Sequence, residues 1–520
     1  QVGNMEKVQS WKWRGLVLSL LLSLIITLPP LVEGLLTPPG WVWTGYHGGL
    51  LDYPTYLAKM QEGYLGHWVY YDRLTSEYTA PVLIYSFYLF LGHLARWSGL
   101  SLPTVFHFSR IFLVWGAFYL FWLWLYLTRK GLEEFFVGIF YSGTALLGFL
   151  FGMKVRIQEY FWATALTFPH YSLDGIGIFG ILIGTHLWVG ERKREGWYYG
   201  ILGVVGLLLS HPFVLAVVFG TVLLNALIFE RTVVKRTLEY LVVLGLLASP
   251  WVLYQWNLFS SVEWLKMWRE QSPFPPPTLG RLFIEQGFVI ISILVFGRRM
   301  IKDPTLRLLG VWWLWAWILA YSNLLLNSGE FAFLINVPAG LLTMAGLEGL
   351  LPRVKQRKFW LSLALSLTTW GVVAGLWLNA FQVSSVIDEK YLAPQYVVGI
   401  EFLRSHGQKG DVVLSGVAPG SFIPYLTGLK PYLGHPCETL EYARKKKEVQ
   451  EFFSGQMREW DAMELLDKNH IRWIITDEQK WTMEAAVFTG AVKDLPYQSL
   501  RKVLDNGVVR VWEYTGKQPK

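Results

Sequence analysis

Long apolar runs alternate with short polar segments over the first three quarters of the chain. A helix needs about 20 apolar residues to cross a hydrocarbon layer about 30 Å thick, and many of these runs approach that length. The pattern predicts a polytopic α-helical membrane protein with about 11–13 transmembrane helices. The runs lie near residues 15–36, 81–97, 103–127, 135–152, 172–190, 197–210, 212–229, 238–256, 283–297, 307–326, 331–351 and 359–382.

The pattern changes after about residue 383, where charged residues become frequent. YVVGIEFLRSHG has helical spacing and ends in a glycine, whereas DVVLSG, RWIITDE and VVRVWEY have the character of strands. We therefore expect a transmembrane module over residues 1–382 and a soluble α/β domain over 383–520. The first external loop, at 37–80, is expected to hold interfacial helices.

Composition and charge favour the same class. Of 520 residues, 53% are hydrophobic and 16% are charged, whereas soluble domains carry about 25% charged residues. The net charge of +8 comes from short basic clusters between apolar runs, which is the positive-inside pattern of a cell-membrane protein and not a nucleic-acid surface. The single cysteine, Cys437, excludes an intrachain disulfide.

The basic clusters predict that the first loop and the C-terminal domain are extracytoplasmic. Twelve runs have the wrong parity for both assignments, so we expect one run to be double, re-entrant or too short to cross. The segment between residues 81 and 152 is where we expect this exception. The first apolar run lacks an obvious small-residue cleavage site and is interpreted as a retained anchor.

The segment GGLLDYPTYLAKMQEGYLGHW, residues 48–68, predicts an amphipathic helix that begins at Asp52 and lies in the membrane interface. Polar residues, among them Lys59, lie opposite its apolar stripe. Asp52 is either an N-cap or a general base that the helix N-terminus keeps ionised. The stripe consists of Tyr53, Leu57, Met60 and Tyr64.

A spaced pattern follows Asp52: a tyrosine, a methionine, a glycine and a tryptophan, then an acid, a proline that opens the next helix, and an arginine. A second segment, FPHYSLDGIGIFGILIG, carries Asp174 near its start. Both resemble segments of the GT-C membrane glycosyltransferases, closest to the protein O-mannosyltransferase and aminoarabinose transferase branch. The residues that carry the first pattern are Asp52, Tyr56, Met60, Gly63, Trp68, Glu77, Pro81 and Arg110.

The resemblance implies an inverting glycosyltransferase that moves a sugar from a polyprenyl-phosphate-linked donor to an acceptor on the outer face. The acceptor class, whether protein, lipid or glycan, stays open. The resemblance further implies that Asp52 is the catalytic base, with Glu77 and Asp174 as further catalytic candidates that line the pocket. The leaving phosphate then needs cations or a divalent metal ion to stabilise it.

Positive charge in the predicted outer loops runs against the positive-inside pattern, and a bound phosphate or lipid headgroup would explain it. Solvated side chains that lie along the membrane are the alternative. His170, close to Asp174, is the candidate metal ligand, and a hydrogen-bonded structural histidine is the alternative. The substrate- and phosphate-binding candidates are Tyr56, Lys59, Arg73, Lys154, Arg156, Lys266 and Arg269.

Two other functions stay open. Relatives often have two adjacent acids at this helix start, whereas Tyr53 follows Asp52 here, which favours a catalytically inactive scaffold or a subunit of a surface assembly. A lipid or solute transporter is the other alternative, although the chain shows no internal repeat that would support it. The WWDxG signature of oligosaccharyltransferases is absent, which argues against that branch.

Overall fold

The computed structural model describes residues 2–46, 52–128, 130–141, 162, 167–322, 328–351, 354–381, 390–477 and 494–516. Helices dominate, as predicted. They are α1 (Val2–Thr27), α2 (Pro29–Leu35), α3 (Asp52–Tyr64), α4 (Ser86–Ser98), α5 (Leu102–Leu127), α6 (Leu132–Phe140), α7 (Pro169–Gly184), α8 (Glu195–Leu209), α9 (Val214–Phe229), α10 (Val234–Ser261), α11 (Glu263–Gln271), α12 (Leu279–Glu285), α13 (Gly287–Met300), α14 (Pro304–Tyr321), α15 (Asn336–Leu350), α16 (Arg357–Phe381), α17 (Pro394–His406), α18 (Val417–Thr427), α19 (Tyr442–Phe453) and α20 (Glu459–Lys468).

Packing divides the chain into two compact units, each assembled from separate stretches of sequence. The helical unit comprises Gln1–Leu28, Phe108–Asn257 and Pro273–Trp377, and the mixed unit comprises Pro29–His107, Leu258–Ser272 and Leu378–Lys520. The first loop and the C-terminal domain therefore belong to one unit. The predicted division at residue 382 into a membrane part and a soluble part stays a prediction.

Among the described residues, five helical segments are long and apolar enough to cross a membrane. A sixth is present if α12 and α13 together form one bent span. This is fewer than the predicted 11–13, because several apolar runs form helices such as α8 and α9, with 15 and 16 residues, which reach only about 22–24 Å. The five segments are Ser10–Thr27, Leu102–Leu127, Pro169–Gly190, Arg231–Ser261 and Ser328–Leu350.

The run at 81–97 also forms a short helix, and the expected exception to the parity between residues 81 and 152 stays a prediction. The prediction that Pro81 opens a helix is wrong, because Val82 forms a β-bridge with Tyr70 and the helix begins only at Ser86. With 13 residues, α4 is about 20 Å long, too short to cross the bilayer. It packs on α3 so closely that a Cβ on Gly63 would lie 1.9 Å from the carbonyl oxygen of Leu89.

In the helical unit, α7 and α8 pack along facing glycines. A Cβ on Gly180 would lie 2.8 Å from the carbonyl oxygen of Tyr199, and one on Gly203 would lie 2.6 Å from that of Gly177. Small residues at a helix interface let two backbones approach closely. This contact fixes the ends of α7 and α8, which carry the polar residues described below.

The C-terminal domain contains a five-stranded mixed sheet with the order β4-β3-β5-β7-β6. Alternate residues face opposite sides: Val413 packs with the helices α17 and α18, whereas Leu414 packs with α19 and α20. The three strands that the sequence predicts are confirmed as β3, β5 and β7, whereas the edge strands β4 and β6 were not predicted. The strands are β1 (Val42–Trp43), which pairs with β2 (Tyr391–Leu392), and β3 (Val412–Leu414), β4 (Lys430–Pro431), β5 (Ile471–Asp477), β6 (Leu500–Asp505) and β7 (Val509–Tyr514).

Candidate functional site

Asp52 is the first residue of α3, as the sequence predicts, and its carboxylate contacts a histidine of the C-terminal domain. Its Oδ1 lies 3.0 Å from Nε2 of His435, and its side chain stays 40% exposed. Burial raises the pKa of Asp52, but the hydrogen bond with His435, the charge of that ring when protonated, and the charge of Lys59 outweigh burial and lower the pKa below its ordinary value. The group is therefore a carboxylate at neutral pH.

The polar face of α3 is buried, which corrects the expectation of a helix with one side in water. Lys59 is 2% exposed, and its Nζ lies 2.7 Å from Oε1 of Glu438 and 4.0 Å from the ring centre of Tyr85. Glu62 pairs with Arg73 and His67. Polar residues opposite an apolar stripe therefore mark contacts with other protein segments in this helix, not contact with solvent.

A second first-loop acid, Asp72, lies in the same region. Its Oδ1 accepts hydrogen bonds from the Tyr70 hydroxyl at 3.0 Å and the Leu74 backbone N–H at 2.9 Å. Its buried Oδ2 has no hydrogen-bond partner among the described residues. Burial, followed by the nearby charge of Glu438, raises the pKa of Asp72 to about 6. This carboxyl therefore changes its charge within the physiological range.

Glu77 is also held by the C-terminal domain. Its Oε1 lies 2.7 Å from Nζ of Lys445, whose side chain is fully buried, and Thr75 donates a short hydrogen bond to its other oxygen. Burial raises the pKa of Glu77, but Lys445 and Thr75 outweigh this and lower it. Burial lowers the pKa of Lys445 in turn, which Glu77 only partly offsets.

The predicted phosphate-binding residues have different surroundings. Lys59 and Arg73 form the ion pairs above, and Arg73 also donates to the Gly428 carbonyl oxygen at 2.8 Å. Tyr56 stacks on Tyr88 with ring centres 4.4 Å apart. Lys266 pairs with Glu263 in α11 at 3.4 Å. For Arg269, the buried Nε has no hydrogen-bond partner among the described residues, and Lys154 and Arg156 lie outside them.

Asp174 belongs to the helical unit and is fully buried there. The antiparallel packing of α7 and α8 places it against the end of α8, where Ser210 Oγ donates to Oδ1 at 2.5 Å and His211 Nδ1 lies 2.7 Å from Oδ2. The ring of His170 lies 5.0 Å from that of His211. The buried Asp174 and the partly buried His211 are candidates for function, since ionisable residues in membrane helices often are.

The residues present do not supply an evident metal site. Within the described parts of the chain, no three His, Cys, Asp or Glu side chains form a group that could hold a metal ion. His170 makes ring contacts with Tyr171 and His211. This environment fits the alternative that His170 is a structural histidine.

Sequence reasoning missed the partners of the predicted acids. His435, Glu438 and Lys445 lie in the C-terminal domain and His211 follows α8, and none of them is among the site residues that the sequence predicts. The one signal in the sequence is the cluster GHPCETLE at 434–441, which places a histidine, a cysteine and two glutamates between a strand and a helix.

Comparison with solved structures identifies the fold. The archaeal oligosaccharyltransferase AglB from Archaeoglobus fulgidus, in complex with an inhibitory peptide and a dolichol-phosphate, aligns over 90% of this chain and 69% of its own, with 12% identity and a TM-score of 0.50. The arabinofuranosyltransferase AftD from Mycobacteria aligns over 97% of this chain and 42% of its own, with 13% identity and a TM-score of 0.57. ArnT from Cupriavidus metallidurans, bound to undecaprenyl phosphate, aligns over 97% and 99%, with 13% identity and a TM-score of 0.51.

At the level of sequence, no protein-family model and no curated protein matches the chain. The structural likeness extends over nearly the whole chain and includes both the membrane helices and the C-terminal sheet region. At these identities it shows the fold alone. The resemblance found in the first loop is thereby confirmed as a likeness of fold: this chain is a polytopic membrane protein with the GT-C glycosyltransferase fold.

Proposed function

We propose that the chain is an inverting glycosyltransferase that uses a polyprenyl-phosphate-linked sugar, with Asp52 as the general base. The observation that carries this proposal is the state of Asp52: an ionised carboxylate, partly exposed, at the start of a helix in a GT-C fold. The lipid phosphates in the complexes of AglB and ArnT support the donor class.

In the proposed reaction, Asp52 accepts a proton from the acceptor nucleophile. The nucleophile attacks the anomeric carbon from the face opposite the phosphate, a new glycosidic bond forms, and the bond between carbon and phosphate oxygen breaks. Polyprenyl phosphate leaves with the electron pair, and the configuration inverts. Because a lipid-linked donor holds its reactive carbon at headgroup level, a base in the first external loop suits this chemistry.

The other site residues stay proposals with the roles that the sequence predicts. Glu77 and Asp174 stay proposed catalytic residues, and Lys266 and Arg269, with Lys154 and Arg156, are proposed to stabilise the leaving phosphate. Lys59 and Arg73, which the sequence predicts to bind substrate or phosphate, are instead proposed to support the site through their carboxylate partners Glu438 and Glu62. The first loop and the C-terminal domain belong to one unit, and we propose that this unit is extracytoplasmic.

Asp52→Asn tests the proposal in the full-length chain reconstituted in lipid. Transfer is measured from a panel of polyprenyl-phosphate-linked hexoses and pentoses to peptide, lipid and glycan acceptors. Loss of the base is expected to lower kcat by about 100- to 10,000-fold with an unchanged thermal midpoint. Asp461→Asn, which changes an exposed acid of α20, is the matched control. Turnover of the Asp52 variant at the wild-type rate would exclude the base assignment.

A further inference from the structure

We propose that His435 is a positioning residue for the Asp52 carboxylate, so that the C-terminal domain supplies part of the transfer site. The inference rests on the proposed function, in which Asp52 is the base. It starts from the 3.0 Å contact between Nε2 of His435 and Oδ1 of Asp52, in which the histidine side chain is 7% exposed.

Hydrogen bonding determines which nitrogen of this histidine carries the proton. The backbone N–H of Cys437 donates to Nδ1 of His435 over 3.1 Å, so Nδ1 presents a lone pair and the hydrogen of the neutral ring is on Nε2. The Nε2–H group therefore donates to Asp52. A neutral donor orients the carboxylate without cancelling the negative charge that a base needs.

The segment that carries His435, residues 434–440, is itself fixed by the first loop. Thr439 Oγ1 accepts a hydrogen bond from the Gly434 backbone N–H at 3.1 Å and donates to the Leu74 carbonyl oxygen at 3.1 Å. The Leu440 backbone N–H donates to Thr75 Oγ1 at 3.2 Å. The first loop therefore holds the C-terminal end of the histidine segment, and Thr439 ties the N-terminal end to it.

Two further contacts hold the middle of the histidine segment. Gln271, at the end of α11, donates through Nε2 to the carbonyl oxygens of Cys437 at 3.0 Å and Thr439 at 2.8 Å. Glu438 forms its buried ion pair with Lys59. Catalytic groups need supporting residues that are themselves locked, since a displacement of about 0.5 Å already weakens a site. These contacts around His435 favour the interpretation that it positions the Asp52 carboxylate, and not that it touches Asp52 only as a surface neighbour.

The charges around Asp52 define what a pH experiment reports. Among the described residues, His435, Lys59 and Cys437 interact electrostatically with Asp52. Burial raises the pKa of the Cys437 thiol, so this thiol does not titrate in the acid range. Because the pKa of Asp72, about 6, also falls in the acid range, the hydrogen bond between His435 and Asp52 is reported by the change in the acid limb between variants at position 435.

The test compares His435→Leu with His435→Gln in the full-length chain in lipid. Leucine fills a similar volume but donates no hydrogen bond, whereas glutamine keeps an N–H donor. We expect leucine to lower kcat about 10- to 100-fold with the KM for the lipid-linked donor unchanged within about twofold, and glutamine to restore most of the rate. The acid limb of kcat should move to higher pH in the leucine variant, which loss of folding stability alone would not cause.

A second measurement on the same proteins needs no turnover. Carbodiimide labels protonated carboxyl groups, and peptide mass spectrometry gives the labelling of Asp52 against pH. The midpoint is expected to rise in His435→Leu and to stay near the wild-type value in His435→Gln. Equal midpoints and equal kcat in His435→Leu and wild type would overturn the positioning role. Full activity of Asp52→Asn would instead overturn the proposed function. The labelling would still show whether His435 lowers the pKa of Asp52.

Discussion

Lys59 and Glu438 form a buried ion pair that joins the first loop to the C-terminal domain, with Nζ of one 2.7 Å from Oε1 of the other. The charge of Lys59 lowers the pKa of both Asp52 and Asp72, whereas the charge of Glu438 raises the pKa of Asp72. An ion pair in this position sets the electrostatics of the candidate site as well as its packing.

Removal of Lys59 alone should destabilise the protein strongly. Lys59→Met leaves the Glu438 carboxylate buried without its cation, which typically costs about 3–5 kcal/mol. The double variant Lys59→Met/Glu438→Leu removes both charges and should recover most of that loss. Thermal midpoints of the solubilised wild type and of the variants measure the difference. Equal losses in the single and double variants would show that the ion pair is not the source of the effect.

Asp72 should make the protein less stable as the pH rises through about 6. Its pKa is raised to about 6 in the folded chain, against about 3.9 in an unfolded one. A raised folded-state pKa contributes stability that is fully present below the unfolded value and is lost as the pH rises through the folded value. The penalty at neutral pH is at most about 3 kcal/mol.

The variant Asp72→Asn tests this dependence, because it keeps the acceptor oxygen for Tyr70 and Leu74 but carries no charge. Its thermal midpoint should equal or exceed that of the wild type at pH 7.5, and the advantage should fall between pH 6 and pH 4. Asp461→Asn, at an exposed position, should show no comparable trend. A constant difference between Asp72→Asn and wild type over this range would contradict the titration.

Asp174 and His211 should be energetically coupled. Asp174→Ala removes the acceptor for both Ser210 and His211, and His211→Ala leaves the buried carboxylate with fewer donors. Because both variants break the same contact, the double variant should lose about 1–3 kcal/mol less than the sum of the single losses. A double-mutant cycle of unfolding free energies in detergent measures this. Additive losses would show that the 2.7 Å contact contributes no coupling.

Gly63 should tolerate no side chain. A Cβ there would lie 1.9 Å from the carbonyl oxygen of Leu89, so Gly63→Ala must separate α3 from α4 and displace the helix that begins at Asp52. We expect a loss of about 2–3 kcal/mol together with reduced transfer. Gly190→Ala is the control, since nothing lies within 4 Å of a Cβ at that position. Similar thermal midpoints for the two variants would contradict the packing argument.

Local patterns predict the elements of this chain well. The start of α3 follows from Asp52 and from Pro54 in its first turn, and α17 ends before Gly407 as its sequence indicates. The central strands follow from their apolar residues. Half of the residues of the edge strand β6 are charged, and β4 contains a proline, so neither shows the pattern of a strand in the middle of a sheet.

The arrangement of the candidate site did not follow from such patterns. Lys59 and Glu438 are 379 residues apart, and nothing local to either residue specifies the other. Because Val82 forms a bridge with Tyr70, α4 likewise begins only at Ser86, although the apolar run begins several residues earlier. Long-range contacts decide both features, and a single sequence does not reveal them.

The 379-residue separation within the Lys59–Glu438 pair also sets an order of events during synthesis. At translation rates of about 5–20 residues per second, the first loop leaves the ribosome roughly 20 to 80 seconds before the segment that completes it. Over that interval Lys59, Asp52 and Glu77 lack the partners that they have in the folded chain. Newly made protein therefore passes through a waiting period in which the first loop is fully translated but cannot yet adopt its final arrangement.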